Sequence, residues 1–283
     1  MLILNEKKEA ELIIKDPKLS FCTISKMVNL LIRYFVNNME YDTETAIEET
    51  SKTLKKSHFG FIESQWHNTM INIANDAHKK PLRDIESIPI TQKEIDKINE
   101  LSTLPVRKVA FAYLVLAKVN YITYHHTWVN VNDFEMMKTA NVDHNNDNFY
   151  NTLNILYSLG YISPAKSILK TSIKIEFADF EGEPAAEVTS LMSLGLWWEY
   201  INGAKYRLCV DCGVIFKPNS NSHIHCKKHI KPKVYICEMC GRAFDFPESG
   251  RKRKRCECCQ REYKLERDKL RKRKERLLNR KKS

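Results

Sequence analysis

Residues 209–229 read CVDCGVIFKPNSNSHIHCKKH, and this stretch places the first constraint on the fold. A second stretch, CEMCGRAF at 237–244, repeats the CxxCGxxF pattern of CVDCGVIF at 209–216 after 28 residues. Each stretch is followed by a second pair of candidate ligands, Cys226 and His229 after the first and Cys256 and Cys259 after the second. The sequence therefore uses one small unit twice.

The spacing in both units is typical of structural zinc sites. Two residues between cysteines let both sulfurs face one tetrahedral ion, and a glycine directly after the second cysteine suits a left-handed turn. Four protein ligands close such a site, so the metal would stabilise the fold and leave no position for a substrate. We predict two Zn²⁺ ions, with these ligands: Cys209, Cys212, Cys226 and His229 in the first zinc-binding unit, and Cys237, Cys240, Cys256 and Cys259 in the second.

Some assignments within these units stay open. His223 and His225 lie within reach of the first site and are alternatives to His229 as its fourth ligand. Cys258 is either a spare thiol or a substitute for Cys256. The aromatic residues of the two motifs, Phe216 and Phe244, are expected to shield the metals from water. The remaining cysteine, Cys22, is isolated, and we predict a buried thiol on an apolar helix face.

Charge is distributed unevenly along the chain. Residues 201–283 contain 25 Lys and Arg against 9 Asp and Glu, a net charge of +16, whereas residues 1–200 have a net charge of −5. This asymmetry predicts a tail that binds a polyanion, attached to an acidic body. The candidate nucleic-acid contacts lie in a basic run within the second zinc-binding unit and in a predicted helix from Cys259 to Lys282: Arg251, Lys252, Arg253, Lys254, Arg255, Arg261, Lys264, Arg267, Arg271, Lys272, Arg273 and Lys274.

The charge and the residue types of the tail predict which polyanion it binds. Phosphates would relieve repulsion between like charges along the helix and would release counterions. DNA is favoured over RNA because the tail has few aromatic residues on which single-stranded bases could stack. An anionic membrane is disfavoured because the helix lacks a large apolar face. A protein partner bound through the acidic body is a further expectation.

The middle of the chain has a recognisable order of elements. Residues 104–180 predict a buried helix, a short strand, two helices and two further strands, and residues 154–162 read NILYSLGYI. This pattern resembles winged-helix domains, in which such a stretch joins the second helix of the turn to the wing. The resemblance implies DNA reading from the helix that begins near Asn145, but residues 131–179 have a net charge of −2. A protein-binding or structural role for this domain is therefore an equal alternative.

These observations predict a mainly α chain with five parts. They are a helical N-terminal domain at 1–103, a winged-helix-like α+β domain at 104–182, a connector helix at 183–203, the first zinc-binding unit at 204–232, and the second zinc-binding unit with a basic C-terminal helix at 233–283. The N-terminal domain includes a capping box that begins at Thr91 and ends at Glu94.

The layout and the motif types resemble accessory proteins of phages and mobile elements in low-GC Gram-positive bacteria, and the second zinc-binding unit is similar to treble-clef fingers. This resemblance implies a non-enzymatic DNA-binding regulator or replication accessory factor. Two alternatives stay open. One is a protein-interaction or inhibitor module whose basic tail docks on a partner's nucleic acid, and the other is an RNA-binding protein.

Enzyme motifs are missing from the sequence. It contains no phosphate-cradling glycine loop, no GxSxG and no HExxH, so we predict that the protein is not an enzyme. His223 and His225 raise the alternative of an HNH-type nuclease, but the asparagine and later histidine of that pattern are not in place. Clustered CxxC pairs, the lack of a signal-peptide layout and the lack of a membrane-length apolar run predict a cytoplasmic protein with reduced, metal-binding cysteines.

Overall fold

The computed structural model describes residues 3–56, 60–165, 172–227, 229, 233–246 and 254–280. Within these ranges the chain is mainly α, with about 53% helix, ten α-helices and four small sheets. It divides into two compact parts, Met1–Cys226 and Lys227–Ser283, which we call the N-terminal and C-terminal parts. No helix among the described residues combines the length and the apolarity that a membrane crossing requires.

The N-terminal part begins with four helices around a core of their own: α1 (Glu6–Lys15), α2 (Ile24–Asn38), α3 (Thr43–Lys55) and α4 (Glu63–Asp76). The first three begin at Asn5, Thr23 and Asp42, whose side chains each accept a hydrogen bond from the backbone N–H three residues later. Such caps satisfy donors that the helix itself leaves free. A separate 3₁₀ turn (Pro17–Leu19) precedes α2, and Thr23 starts the helix.

A buried carboxylate holds this first core together. Glu6 on α1 accepts hydrogen bonds from Arg33 at 3.1 Å and Arg83 at 3.0 Å, and Lys26 lies 3.3 Å away. Burial raises the pKa of Glu6, but the nearby Arg83, Arg33 and Lys26 outweigh this effect and lower its pKa below the ordinary value. The ionised carboxylate therefore joins α1 to α2 and to the segment before the first strand.

A second core, centred on helix α6, occupies the rest of the N-terminal part. Its elements in chain order are β1 (Ile88–Thr91), α5 (Gln92–Asn99), α6 (Leu104–Tyr124), β2 (Trp128–Val129), α7 (Asp133–Thr139), α8 (Asn146–Ser158), β3 (Ile162–Pro164), β4 (Ile173–Ile175), β5 (Pro184–Val188) and α9 (Leu194–Ile201). The antiparallel sheet β2–β4–β3 packs beside α6, and β1 pairs with β5 so that Ile88 faces Val188. α6 is buried on almost every side because its sequence is apolar around the whole helix.

Local capping residues mark several of these boundaries. Thr91 and Glu94 form the capping box at the start of α5, Asn132 caps α7, and Gly160 follows α8 with a φ of +72°. The stretch 183–203, predicted as a connector helix, contains a strand followed by a shorter helix. In α9, Trp197 and Trp198 are both buried. Gly195 is required there, because a Cβ would lie 1.9 Å from the carbonyl oxygen of Ala140.

An ion pair lies at the centre of the second core. Lys118 of α6 donates hydrogen bonds to Glu94 at 2.8 Å and to the carbonyl of Pro89 at 2.7 Å. Glu94 also accepts the N–H groups of Thr91 at 2.8 Å and Asp179 at 2.7 Å. The two charged side chains are almost completely buried, at 3% and 0% exposure, so each charge depends on the other.

The remaining elements belong to the cysteine region. In the N-terminal part, β6 (Arg207–Leu208) pairs with β7 (Ile215–Phe216), and Ile215 joins the second core. In the C-terminal part, β8 (Lys233–Ile236) pairs with β9 (Ala243–Phe246), and the long helix α10 (Glu257–Arg280) follows.

We expect Lys118→Met to destabilise the chain by about 3–5 kcal/mol, because it leaves the buried Glu94 carboxylate without its counter-charge. Urea unfolding followed by circular dichroism measures the difference. The matched control is Lys52→Met, which removes an exposed pair with Glu49 (Lys52 side chain 61% exposed) and is expected to cost less than about 1 kcal/mol. Equal effects of the two substitutions would show that the buried pair has no special role.

The Glu6 cluster predicts a pH-dependent component of stability. Because the folded-state pKa of Glu6 is lowered from 4.5, its contribution is complete above that value and is lost as the pH falls through the folded-state pKa. We expect Glu6→Gln to lower stability at neutral pH and to make the loss of stability below about pH 4.5 less steep. Unfolding free energies over a pH series test this, with Glu181→Gln at an exposed position as control.

Candidate metal centres

The structure brings together two sets of four ligand side chains. The first centre consists of Cys209, Cys212, Cys226 and His229, and the second of Cys237, Cys240, Cys256 and Cys259. Within each set, one donor atom from every residue lies within 4.8 Å of the others. Either set could hold one metal ion, which agrees with the two ions expected from the sequence.

The first CxxC pair is shaped by a tight turn. The Cys209 N–H donates to the Val214 carbonyl at 3.0 Å, and the Gly213 N–H donates to the Cys209 carbonyl at 2.8 Å. Gly213 has a φ of +66°, a left-handed conformation that residues with a Cβ rarely adopt. A hydrogen bond of 3.2 Å from the Val210 N–H to the Ile224 carbonyl then brings the second ligand pair alongside the first.

The second CxxC pair repeats this backbone geometry. The Cys237 N–H donates to the Arg242 carbonyl at 3.0 Å, and the Gly241 N–H donates to the Cys237 carbonyl at 2.9 Å. Gly241 has a φ of +67°, and the Glu238 N–H donates to the Lys254 carbonyl at 2.9 Å. The internal repeat in the sequence is therefore also a repeat of structure.

Backbone N–H groups favour the ionised form of the first cysteine in each CxxC pair. Burial raises the pKa of Cys237, but the N–H groups of Cys256, Cys240 and Met239 outweigh it and lower the pKa to about 6. In Cys209, burial is likewise outweighed by the N–H groups of Cys226, Asp211 and Cys212, and the pKa is lowered. A thiolate is the form of cysteine that binds metal.

Other sulfurs in the same centres hold their protons more tightly. Burial and the neighbouring Cys226 and Cys209 raise the pKa of Cys212. Hydrogen bonding to Cys256, Cys240 and Cys237 raises the pKa of Cys259. Several sulfurs at such short range cannot all ionise without a cation among them.

The donor sets fit zinc. Closed sets of three thiolates with one imidazole, or of four thiolates, are typical of tetrahedral structural zinc. When bound, zinc would cross-link the two ligand pairs of each unit. Among the described residues of the C-terminal part, the buried side chains are His229, Cys237 and Cys259, all of them candidate ligands. Because the residues that the structure describes there bury so few apolar side chains, we expect the fold of this part to depend on the metal.

The alternative ligands have other roles in the structure. His223 accepts the Asn219 N–H at 3.1 Å through Nδ1 and packs its ring against Phe216. His225 bonds Asp211. Neither histidine belongs to the four-residue set, which contains His229. Phe216 is half-buried, whereas its neighbour Ile215 is fully buried.

The two cysteines outside these sets differ from each other. Cys258 is exposed and belongs to neither set, so the second centre uses Cys256. Cys22 lies just before α2 rather than on a helix, and it is half-buried. Burial raises the pKa of its thiol to about 11, which makes it unreactive at neutral pH.

The candidate nucleic-acid residues that the structure describes lie on α10 or directly before it in the sequence. Of the full set of candidates, Arg251, Lys252 and Arg253 and the side chain of Lys274 fall outside the described residues. Arg255 is half-buried, with its guanidinium group 3.8 Å from the centre of the Tyr263 ring. The remaining residues are exposed: Lys254, Arg261, Lys264, Arg267, Arg271, Lys272 and Arg273.

Comparison with known proteins leaves the family open. No protein-family model matches the chain, and no curated protein or solved structure is significantly similar to it. Function is therefore inferred from the two centres and from the charged surface of α10.

We expect Cys256→Ser and Cys258→Ser to differ in metal content. The first removes a member of the second centre and should reduce bound zinc from two ions per chain to one, whereas the second should leave two. Native mass spectrometry of the full chain counts the ions. The opposite result would show that Cys258 is the ligand.

Proposed function

We propose that this chain is a zinc-dependent, non-enzymatic DNA-binding protein whose basic tail holds the phosphate backbone. The observation that carries the proposal is the exposed basic surface of α10, which begins at the second centre. Cys256 directly precedes the helix and Cys259 lies in its first turn, so zinc would fix the position of the helix start. The stacking of Arg255 on Tyr263 supports the same position.

The arrangement of charges on α10 supports phosphate binding. Lys264, Arg267 and Arg271 are spaced i, i+3 and i+7, so they lie on one face and span about 10 Å along the axis. Among the described residues of this helix the ion pairs are long and exposed, such as Arg271 with Asp268 at 3.8 Å. Such pairs contribute little and leave the cations available to phosphates.

The aromatic rings of the tail already contact neighbouring side chains, which favours duplex DNA over single strands as the ligand. Tyr263 is covered on one face by Arg255, and Tyr235 packs near Phe244 with ring centres 6.1 Å apart. Rings engaged in this way are poor platforms for stacking unpaired bases. RNA binding is thus the less favoured form of the proposal.

The winged-helix likeness of residues 104–182 is part of the proposal. Its support is the order α6, β2, α7, α8, β3, β4 with the sheet order β2–β4–β3. Lys166 and Lys170, which lie between β3 and β4 in the sequence, fall outside the described residues. Together with the CxxCG tail, this layout supports a regulator or replication accessory factor of a phage or mobile element, working in the cytoplasm.

A second candidate function, a protein-interaction module, is favoured by the surface of α7 and α8. Phe134, Tyr150 and Tyr157 are 60%, 50% and 58% exposed, and Tyr150 bonds Asp133 at 2.9 Å. Exposed aromatic residues beside acidic groups fit a basic protein surface better than a phosphate backbone. In this reading the acidic N-terminal part binds a protein and the tail docks on that protein's nucleic acid.

Fluorescence anisotropy of a labelled DNA duplex tests the first function. We expect Lys264→Gln, Arg267→Gln and Arg271→Gln in one variant to weaken binding and to reduce the slope of log K against log salt by about 2 to 3. The matched control replaces three exposed lysines of the N-terminal part, Lys56, Lys80 and Lys93, and should bind as the parent does. Removing zinc with a chelator should also weaken binding.

The outcomes separate the two functions. Equal loss in both variants would show that binding follows net charge and that α10 has no special role. No binding by the parent chain to DNA duplex, single-stranded DNA or RNA would overturn the nucleic-acid function and leave the protein-interaction module.

A further inference from the structure

A third set of metal-binding donors lies beside the first centre. It consists of Cys209, Asp211 and His225, and one donor atom from each lies within 4.8 Å of the others. We call it the auxiliary set. Cys209 belongs both to this set and to the first centre. Asp211 lies between the two cysteines of the CxxC pair, and His225 directly precedes Cys226.

The auxiliary set faces solvent, whereas the first centre faces inward. His225 Nδ1 and Asp211 Oδ2 are 2.7 Å apart, and their side chains are 32% and 43% exposed. Cys209, by contrast, is buried. Thiolate, imidazole and carboxylate are all zinc ligands, and a set of three leaves one tetrahedral position open to an incoming ligand.

The second zinc-binding unit provides an internal comparison. Its backbone repeats the first, but Met239 stands in place of Asp211 and Arg255 in place of His225. An arginine does not bind zinc, a thioether is a weak ligand for it, and this Arg255 is stacked on Tyr263. The auxiliary set is therefore a property of the first unit and not a by-product of the CxxC turn.

We propose that the auxiliary set is the site through which zinc enters and leaves the first centre, so that the first centre exchanges its metal and the second retains it. During release Cys209 would stay bound to the ion while Asp211 and His225 replace the other three ligands. The thiolates of Cys212 and Cys226 would then take up protons from solvent, and the His229 imidazole would leave as a neutral ligand. The proton on His225 Nδ1 passes to Nε2 through solvent when Nδ1 binds the ion.

The proposal has a simple physical basis. Zinc held by four ligands exchanges through a fifth, incoming ligand, and donors already attached beside the centre supply it at high effective concentration. This inference rests on zinc binding at the first centre, which belongs to the proposed function. Counting the bound ions before measuring the rates distinguishes failure of the proposed zinc binding from failure of the proposed exchange route.

The experiment is transfer of zinc from the full chain to the chromogenic chelator 4-(2-pyridylazo)resorcinol, followed by stopped flow. Two phases are expected, with the fast phase from the first centre. Cobalt substitution assigns them, because a three-sulfur, one-nitrogen set and a four-sulfur set absorb differently. The test variant is Asp211→Asn with His225→Gln, which keeps side chains able to hydrogen-bond each other but weakens both as ligands.

We expect this variant to bind two zinc ions and to show a fast phase that is slowed severalfold, with the slow phase unchanged. The reciprocal variant, Met239→Asp with Arg255→His, should accelerate release from the second centre. If the double variant at the first unit binds fewer than two ions, the single substitutions Asp211→Asn and His225→Gln are measured in its place.

Two results would overturn the proposal. Faster release from the test variant would identify Asp211 and His225 as an outer support of the ligands, whose loss weakens metal binding by about 10- to 100-fold. An unchanged fast phase would show that zinc leaves by another route. A parent chain that binds no zinc would overturn the proposed function, and this inference with it.

Discussion

The buried Glu94 carboxylate is the constraint on which the second core depends. A charge placed in the interior must be paired and hydrogen-bonded, and here Lys118, Thr91 and Asp179 meet that demand. Four segments are thereby held at one point: β1, the start of α5, the middle of α6 and the chain after β4. β5 and α9 pack on this arrangement, and Ile215 attaches the first CxxC turn to the same core. The first CxxC turn is thus attached to the same core that contains this ion pair.

The two centres have the same local backbone but different surroundings. The first CxxC turn lies against a large apolar core through Ile215. The second lies in a part of the chain whose described buried side chains are all candidate metal ligands, so we expect the metal to supply stability that a core supplies elsewhere. An exchangeable first centre and a retained second centre agree with this difference. A permanent ion is needed where it supports the helix proposed to bind DNA.

Charge separates the chain into two chemical surfaces. The basic face of α10 attracts phosphate, and the acidic, aromatic surface of α7 and α8 repels it. If both proposed functions hold, these two surfaces would connect a nucleic acid with a basic protein. Among the described residues of α10 the ion pairs are long and exposed. They therefore leave its cations available to anions from solvent.

Features that depend on neighbours along the chain could be predicted from the sequence. The CxxCG repeat, the left-handed glycines at 213 and 241, the capping box at Thr91 and the cap at Asn132 each involve residues a few positions apart. Tertiary structure alone decided the rest. β1 pairs with β5 across about 100 residues of sequence, and Glu94 pairs with Lys118 on another helix. His225 forms a hydrogen bond with Asp211 and does not belong to the first centre, which contains His229. The reason is physical: local hydrogen bonds follow from residue type and spacing, whereas a distant partner is determined by the path of the whole chain and by which charges it buries.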